Sequence, residues 1–209
     1  MTKTVQEIMA EVGYNAEWLA LGIVDEPYLR TQYAKYQGSE DKNQEHYRCR
    51  AFLDFLARTQ ELTAVEIERI FALTDHGPDG VDLKKNRIIE LLTSGLLTDE
   101  QLGALEDHPE VGQPPVQKQY RRQCILRRLE REGLTDEAFR QVSESKDSVL
   151  HEHVLDRDDL RCSQVLWLAE QGANKGIRNR AQELLRSRRF RSASEAVRFA
   201  ARVREHLDL

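Results

Sequence analysis

The sequence predicts an all-α fold: a right-handed α-solenoid of stacked antiparallel helix pairs, about 10 to 12 helices in all. Three observations lead there. The string Leu97-Thr98-Asp99-Glu100 returns as Leu134-Thr135-Asp136-Glu137, and Leu62-Thr63 opens an earlier copy. The starts Thr63, Thr98 and Thr135 lie 35 and 37 residues apart, the period of a two-helix repeat. Only five prolines interrupt 209 residues, and apolar residues recur at spacings of three and four.

Each unit reads as helix, acidic turn, helix. Thr63 is followed three residues later by Glu66, and Thr98 by Gln101, which is the spacing of a capping box. At Thr135 the third residue is Ala138, so only the hydroxyl half remains. First helices then present Ile67, Ile70 and Phe71; Leu102 and Leu105; and Phe139 and Val142. Leu73-Thr74-Asp75-His76-Gly77-Pro78-Asp79-Gly80 resembles Leu105-Glu106-Asp107-His108-Pro109-Glu110-Val111-Gly112, and both read as turns. Second helices carry Ile88, Leu91 and Leu92; Ile125, Leu126 and Leu129; and Val165, Leu166 and Leu168. Ser94-Gly95, Glu132-Gly133 and Gln171-Gly172 close them, with glycine expected in the left-handed cap.

One repeat domain is therefore expected over 1–209. Residues 1–27 form an N-terminal cap, 27–61, 62–95, 96–133 and 134–172 are repeats, and 173–209 is a basic C-terminal repeat or cap. In the cap, a helix over 4–12 buries Val5, Ile8, Met9 and Val12, Gly13 breaks it, and Trp18 lids the first core. Repeat one has Tyr28, Leu29, Tyr33 and Tyr36 on its first helix, a polar turn over 38–43, and Tyr47 on its second. The fourth repeat has a longer turn over 143–159. Helices over 176–186 and 192–207 complete the chain.

Asp158-Asp159-Leu160-Arg161 before Val165-Leu166, and Asn174-Lys175-Gly176-Ile177-Arg178-Asn179-Arg180-Ala181 before Leu184-Leu185, resemble the second-helix signature of HEAT repeats. The resemblance implies a helical-repeat fold whose members mostly bind protein or nucleic acid. A shorter likeness covers Glu183-Leu184-Leu185-Arg186-Ser187-Arg188-Arg189-Phe190-Arg191-Ser192-Ala193-Ser194-Glu195-Ala196-Val197-Arg198, which looks like part of ParD-type ribbon-helix-helix antitoxins. That likeness implies DNA reading through a preceding strand, and 173–179, with Gly176 inside it and little alternation, makes a poor strand.

The search for chemistry returns little. There is no Gly-rich phosphate loop, paired-cysteine motif or nucleophile elbow, so no enzyme and no cofactor are expected. Cys49, Cys124 and Cys162 are expected to be buried reduced thiols, which suits a cytoplasmic protein. No apolar run approaches the roughly 20 residues that span a bilayer, and Met1-Thr2-Lys3-Thr4-Val5 lacks a signal-peptide core. His151-Glu152-His153, near Asp156, Asp158 and Asp159, is the densest set of metal-type ligands. His151 and Glu152 resemble the His-Glu pairs that hold two irons in deoxyhypusine hydroxylase, a HEAT-like enzyme. That family needs several facing pairs and this chain has one, so a solvated acidic turn is the expectation and no metal is assigned.

Charge and aromatic placement supply the functional expectation. Residues 173–209 hold ten basic and four acidic side chains, net +6, which leaves −11 on 1–172. Nine of fourteen aromatics fall in 1–71, either as an end-cap core or as a binding surface. The sequence reading is a non-enzymatic interaction module gripping a partner protein on a curved face, with the acidic body favouring a basic partner. Candidate contacts are Tyr33, Tyr36, Tyr47, Asp75, Asp79, Asp107 and Glu110. The alternative is nucleic-acid binding, as in HEAT-like alkylpurine DNA glycosylases, through Arg178, Arg180, Arg186, Arg188, Arg189 and Arg191. The competing role for Arg186, Arg188, Arg189 and Arg191 is salt bridging to the acidic neighbouring repeat.

Overall fold

The computed structural model describes residues 3–73 and 83–191, and within them the chain is all-helical. Helices are α1 (Val5–Val12), α2 (Ala16–Ala20), α3 (Glu26–Gly38), α4 (Gln44–Arg58), α5 (Ala64–Ala72) and α6 (Lys84–Thr93). They continue with α7 (Asp99–Ala104), α8 (Pro114–Glu132), α9 (Asp136–Ser145), α10 (Ser148–Leu155), α11 (Cys162–Gln171) and α12 (Lys175–Arg186). The expected turn over 74–80, with Asp75, His76 and Asp79, and the expected helix over 192–207 lie outside the described residues.

Helix starts follow the capping chemistry residue by residue. The Thr63 hydroxyl accepts from the Glu66 amide, and the Glu66 carboxylate accepts from the Thr63 amide at 2.8 Å. Thr98 and Gln101 repeat this pair, while Thr135 caps Ala138 with its hydroxyl alone. A further reciprocal box at Thr4 and Glu7 starts α1. Each arrangement satisfies amides that the first turn leaves without helical partners, at about 1 kcal/mol per cap.

The chain divides into two compact units, Met1–Gln123 and Cys124–Leu209, with the division falling inside α8. In the first, α1 packs on α3 and α4, α4 on α6, and α6 on α5. Gly13 ends α1 in the left-handed region at φ 83°. The turn it makes is held to α4: Gln44 Nε2 donates to Glu11 O at 2.9 Å, and Tyr14 OH to Tyr47 O at 3.0 Å. The buried Arg48 guanidinium donates to Gly13 O at 3.4 Å. Trp18 is buried, as a lid would be, with Tyr14 edge-on at 5.2 Å and the Arg87 guanidinium 5.5 Å over its ring.

In the second unit Leu129, Leu134, Ala138, Val142, Leu150, Val154, Val165, Leu168, Ile177 and Leu185 form one core. The expected long turn over 143–159 is instead two short links around α10. Lys146 ends α9 with φ 49°, and the Asp147 carboxylate accepts from the Val149 and Leu150 amides to start the next helix. Asp159 receives the Arg157 guanidinium at 2.7 and 2.8 Å and the Leu134 amide at 2.8 Å. Its carboxyl is held down to about 2, first by Arg157 and then by that amide.

Glycine roles separate at the closing caps. Gly95 and Gly133 adopt φ 79° and 75°, as expected of left-handed caps. Gly172 does not: its φ is −52°, and its constraint is space. A Cβ there would lie 2.5 Å from Leu168 O and 2.7 Å from Ile177 Cγ2, where α11 and α12 meet. The cysteines are only half-buried, short of the full burial expected, and none forms a disulfide.

Gly172→Ala is expected to destabilise the protein by about 1–3 kcal/mol through overpacking. Gly103→Ala, inside α7 with open space around its Cβ, is expected to stabilise by about 0.5–1 kcal/mol. Denaturant unfolding of the two variants checks the opposite signs.

Candidate functional site

The described surface concentrates its unusual chemistry where α3 and α4 run side by side. Asp25 caps α3 by accepting from the Tyr28 amide, and Asn43 caps α4 by accepting from the Glu45 amide. Tyr28 near the start of α3 donates to Asp54 Oδ2 near the end of α4 at 2.9 Å. Tyr36 near the end of α3 meets Tyr47 near the start of α4 edge-on, with ring centroids 5.4 Å apart. The helices are therefore antiparallel, joined by the link 39–43.

That link is built on Asp41. Its amide donates to Ser39 Oγ at 3.0 Å, and its Oδ1 accepts from the Asn43 amide at 2.9 Å. Its Oδ2 lies 2.8 Å from His46 Nδ1, and its carbonyl accepts from Tyr47 OH at 3.3 Å. A carboxylate only accepts, so His46 carries its Nδ1 proton toward Asp41 and leaves Nε2 on the outer side of the ring. Lys42 completes the link by donating to the carbonyls of Tyr36 and Gln37 at the end of α3, and its ammonium lies 4.8 Å over the Tyr36 ring.

Beside this turn lies a groove of about 300 Å³ lined by Gln32, Lys35, Ser39, Asp41, His46, Tyr47 and Arg50. Gln32 is buried and donates from Nε2 to Tyr28 OH at 2.7 Å. Arg50 pairs through Nε with Asp54 at 3.0 Å, while most of its side chain stays exposed. Lys35 is exposed. The hydrogen bond that His46 donates to Asp41 raises the His46 pKa above its ordinary value, and the same bond, with the Asn43 amide second, lowers that of Asp41. Burial and the Asp54 partner push the Tyr28 phenol up to about 12, so it stays a neutral donor.

The sequence candidates scatter around this geometry. Tyr47 lines the groove, Tyr36 supports it, and Tyr33 sits under the Lys3 ammonium at 5.2 Å. Asp75 and Asp79 are outside the described residues. Asp107 is exposed, and Glu110 is engaged by Lys84 at 2.5 Å. Sequence reasoning missed Lys35, His46 and Arg50. The available signal was the spacing of His46, Arg50 and Leu53, which puts three side chains on one face of α4.

The basic end is partly committed to the fold. Arg178 donates to Gly172 O at 2.8 Å, Arg180 pairs with Asp156, and Arg191 donates to Arg186 O at 3.3 Å. Arg189 donates to the carbonyls of Arg157, Asp158 and Leu160. At Arg189 the expected salt bridge is thus replaced by bonds to carbonyl oxygens of the link that follows α10, which have no helical amide partner. Arg186 and Arg188 remain exposed, with no acidic partner among the described residues.

The metal-type cluster is not a solvated turn. His151 is fully buried on α10, its Nδ1 accepting from the Ala173 amide at 3.0 Å and its Nε2 donating to Val142 O at 3.2 Å. Both ring nitrogens therefore hold backbone. Glu152 is exposed and His153 half-buried. Among the described residues no group of three or more His, Cys, Asp or Glu is placed to hold a metal ion.

Burial lowers the His151 pKa, and protonating Nδ1 would turn the Ala173 contact into two facing donors. The folded value lies below the unfolded value of roughly 6.5, so folding binds the neutral ring. The resulting stability is complete above the unfolded pKa and is lost as pH falls below it toward the folded one. Thermal unfolding followed from pH 7.5 to 5 is expected to show a falling Tm. His151→Gln is expected to flatten that dependence while lowering Tm at neutral pH, since the backbone groups lose their shaped partner.

Comparison of the chain with protein-family models, curated proteins and solved structures gives no match.

Proposed function

We propose that this chain is a non-enzymatic interaction module that takes a protein partner on the α3–α4 face. The observation carrying this reading is the groove of about 300 Å³ with Tyr47 and Arg50 in its wall, together with exposed Leu53 three residues after Arg50 on α4. A volume at the lower end of ligand pockets suits one inserted side chain better than a large cofactor. Leu53 follows His46 and Arg50 at helical spacing, so an apolar anchor adjoins the polar rim, as in many binding patches.

The HEAT-like solenoid belongs to the same proposal. Its support is the sequence spacing of Thr63, Thr98 and Thr135, together with shared cap chemistry at all three. Repeats of this kind present variable faces on a regular frame, which favours binding over catalysis. The nucleic-acid reading rests on Arg186 and Arg188, two exposed charges, since the other four candidate arginines bond within the fold.

Leu53→Asp tests the face directly, because Leu53 is 42 % exposed and its replacement leaves the core intact. A protein retained stoichiometrically by immobilised wild-type chain is expected to be lost by the variant, with unfolding unchanged. Equal retention by both chains removes the α3–α4 face from the proposal.

A further inference from the structure

The groove between α3 and α4 sorts its hydrogen-bonding groups by whether they already have partners. Each carboxylate oxygen around it already receives a hydrogen bond. Asp41 Oδ1 receives the Asn43 amide and Oδ2 receives His46. Asp54 behind the groove receives both Tyr28 OH and Arg50 Nε. Its donors are left over. Arg50 retains its two terminal guanidinium nitrogens, Ser39 its hydroxyl proton, and Lys35 its ammonium, which has no partner among the described residues. A cavity with several unpaired donors, whose carboxylate oxygens already hold partners, is complementary to an oxyanion.

We propose that this groove receives the carboxylate of an acidic peptide segment of the protein partner, bound by Lys35 and Arg50 with Ser39 beside them. The inference rests on the α3–α4 face being where the partner docks. Charge balance selects a carboxylate. Arg50 and Asp54 neutralise each other, and protonation of His46 offsets Asp41, which in that state leaves Lys35 as the uncompensated positive charge of the lining. The apolar neighbour Leu53 then contacts the segment flanking that acidic side chain.

His46 adds a proton-dependent term. Protonation places a donor on Nε2 while Nδ1 stays on Asp41. The other charged groups near it are Glu45 and Arg50 on α4, Lys35 on α3, and Glu40 and Lys42 on the link, with Tyr47 as the neighbouring phenol. Affinity for an acidic segment should rise as pH falls through the His46 transition.

The test titrates the full chain with a blocked peptide carrying three glutamates, its glutamine counterpart, and inorganic phosphate, read by NMR shifts of residues 32–50. The glutamate peptide is expected to shift Lys35, His46 and Arg50, and Lys35→Glu to weaken it about tenfold, the scale of one charge-assisted contact. Equal binding of the glutamine peptide, no binding of the glutamate peptide, or phosphate binding as tightly as the peptide overturns the proposal. If Leu53→Asp abolishes partner retention and Lys35→Glu does not, the docking face stands and the carboxylate assignment fails. If the glutamate peptide seats in the groove while partner retention survives Leu53→Asp, the carboxylate site stands and the docking face fails.

Discussion

The carboxylate of Asp41 is the interaction on which the α3–α4 surface depends. It receives the Asn43 amide and the His46 ring, while the Asp41 carbonyl receives the Tyr47 phenol. These bonds set the reversal between two helices and fix two groove side chains at once. A carboxylate that already receives a bond on each oxygen at a link has less acceptor capacity left for ligands. The surface that remains is rich in donors because the Asp41 oxygens hold their partners within the turn. Structure and recognition are thus linked through one residue.

Behind that surface the fold supplies rigidity. Gly13, in a left-handed turn, brings the end of α1 against Gln44, Tyr47 and Arg48 of α4. The tyrosine whose ring borders the groove is therefore anchored by its own carbonyl to Tyr14. Below, Tyr28, Gln32, Asp54 and Arg50 form a chain of bonds between the two helices. Such chains hold side chains in one rotamer, which reduces the entropy lost on binding.

Much of the helical organisation was legible because its causes are local. Thr63, Thr98 and Thr135 announce helix starts through a side chain reaching its own backbone, and the degree of capping at each follows from residues 66, 101 and 138. The helix α10 escaped the reading because its boundaries depend on Lys146 adopting a left-handed conformation, which lysine seldom signals. His151 looked like a surface ligand because sequence shows residue type and not burial. In the fold its ring bridges two backbone groups separated by 31 positions, Val142 and Ala173. Gly172 was read as a conformational glycine, and the close meeting of α11 and α12 gives it a steric role instead.

The groove was harder to see, since net charge is a sum and a binding site is a remainder. The acidic total of 1–172 pointed toward a basic partner, yet Glu110 is engaged by Lys84 and Asp41 by His46. What a partner meets is the set of groups left after internal pairing, and at this groove that set consists of donors on Lys35, Ser39 and Arg50. The decisive measurement is the NMR titration of the His46 ring nitrogens. The account predicts a pKa above 6.5, the ordinary value, with the proton held on Nδ1 toward Asp41. A pKa at or below 6.5, or a neutral ring protonated on Nε2, would contradict it, because Asp41 would then not be the constraint that shapes the groove.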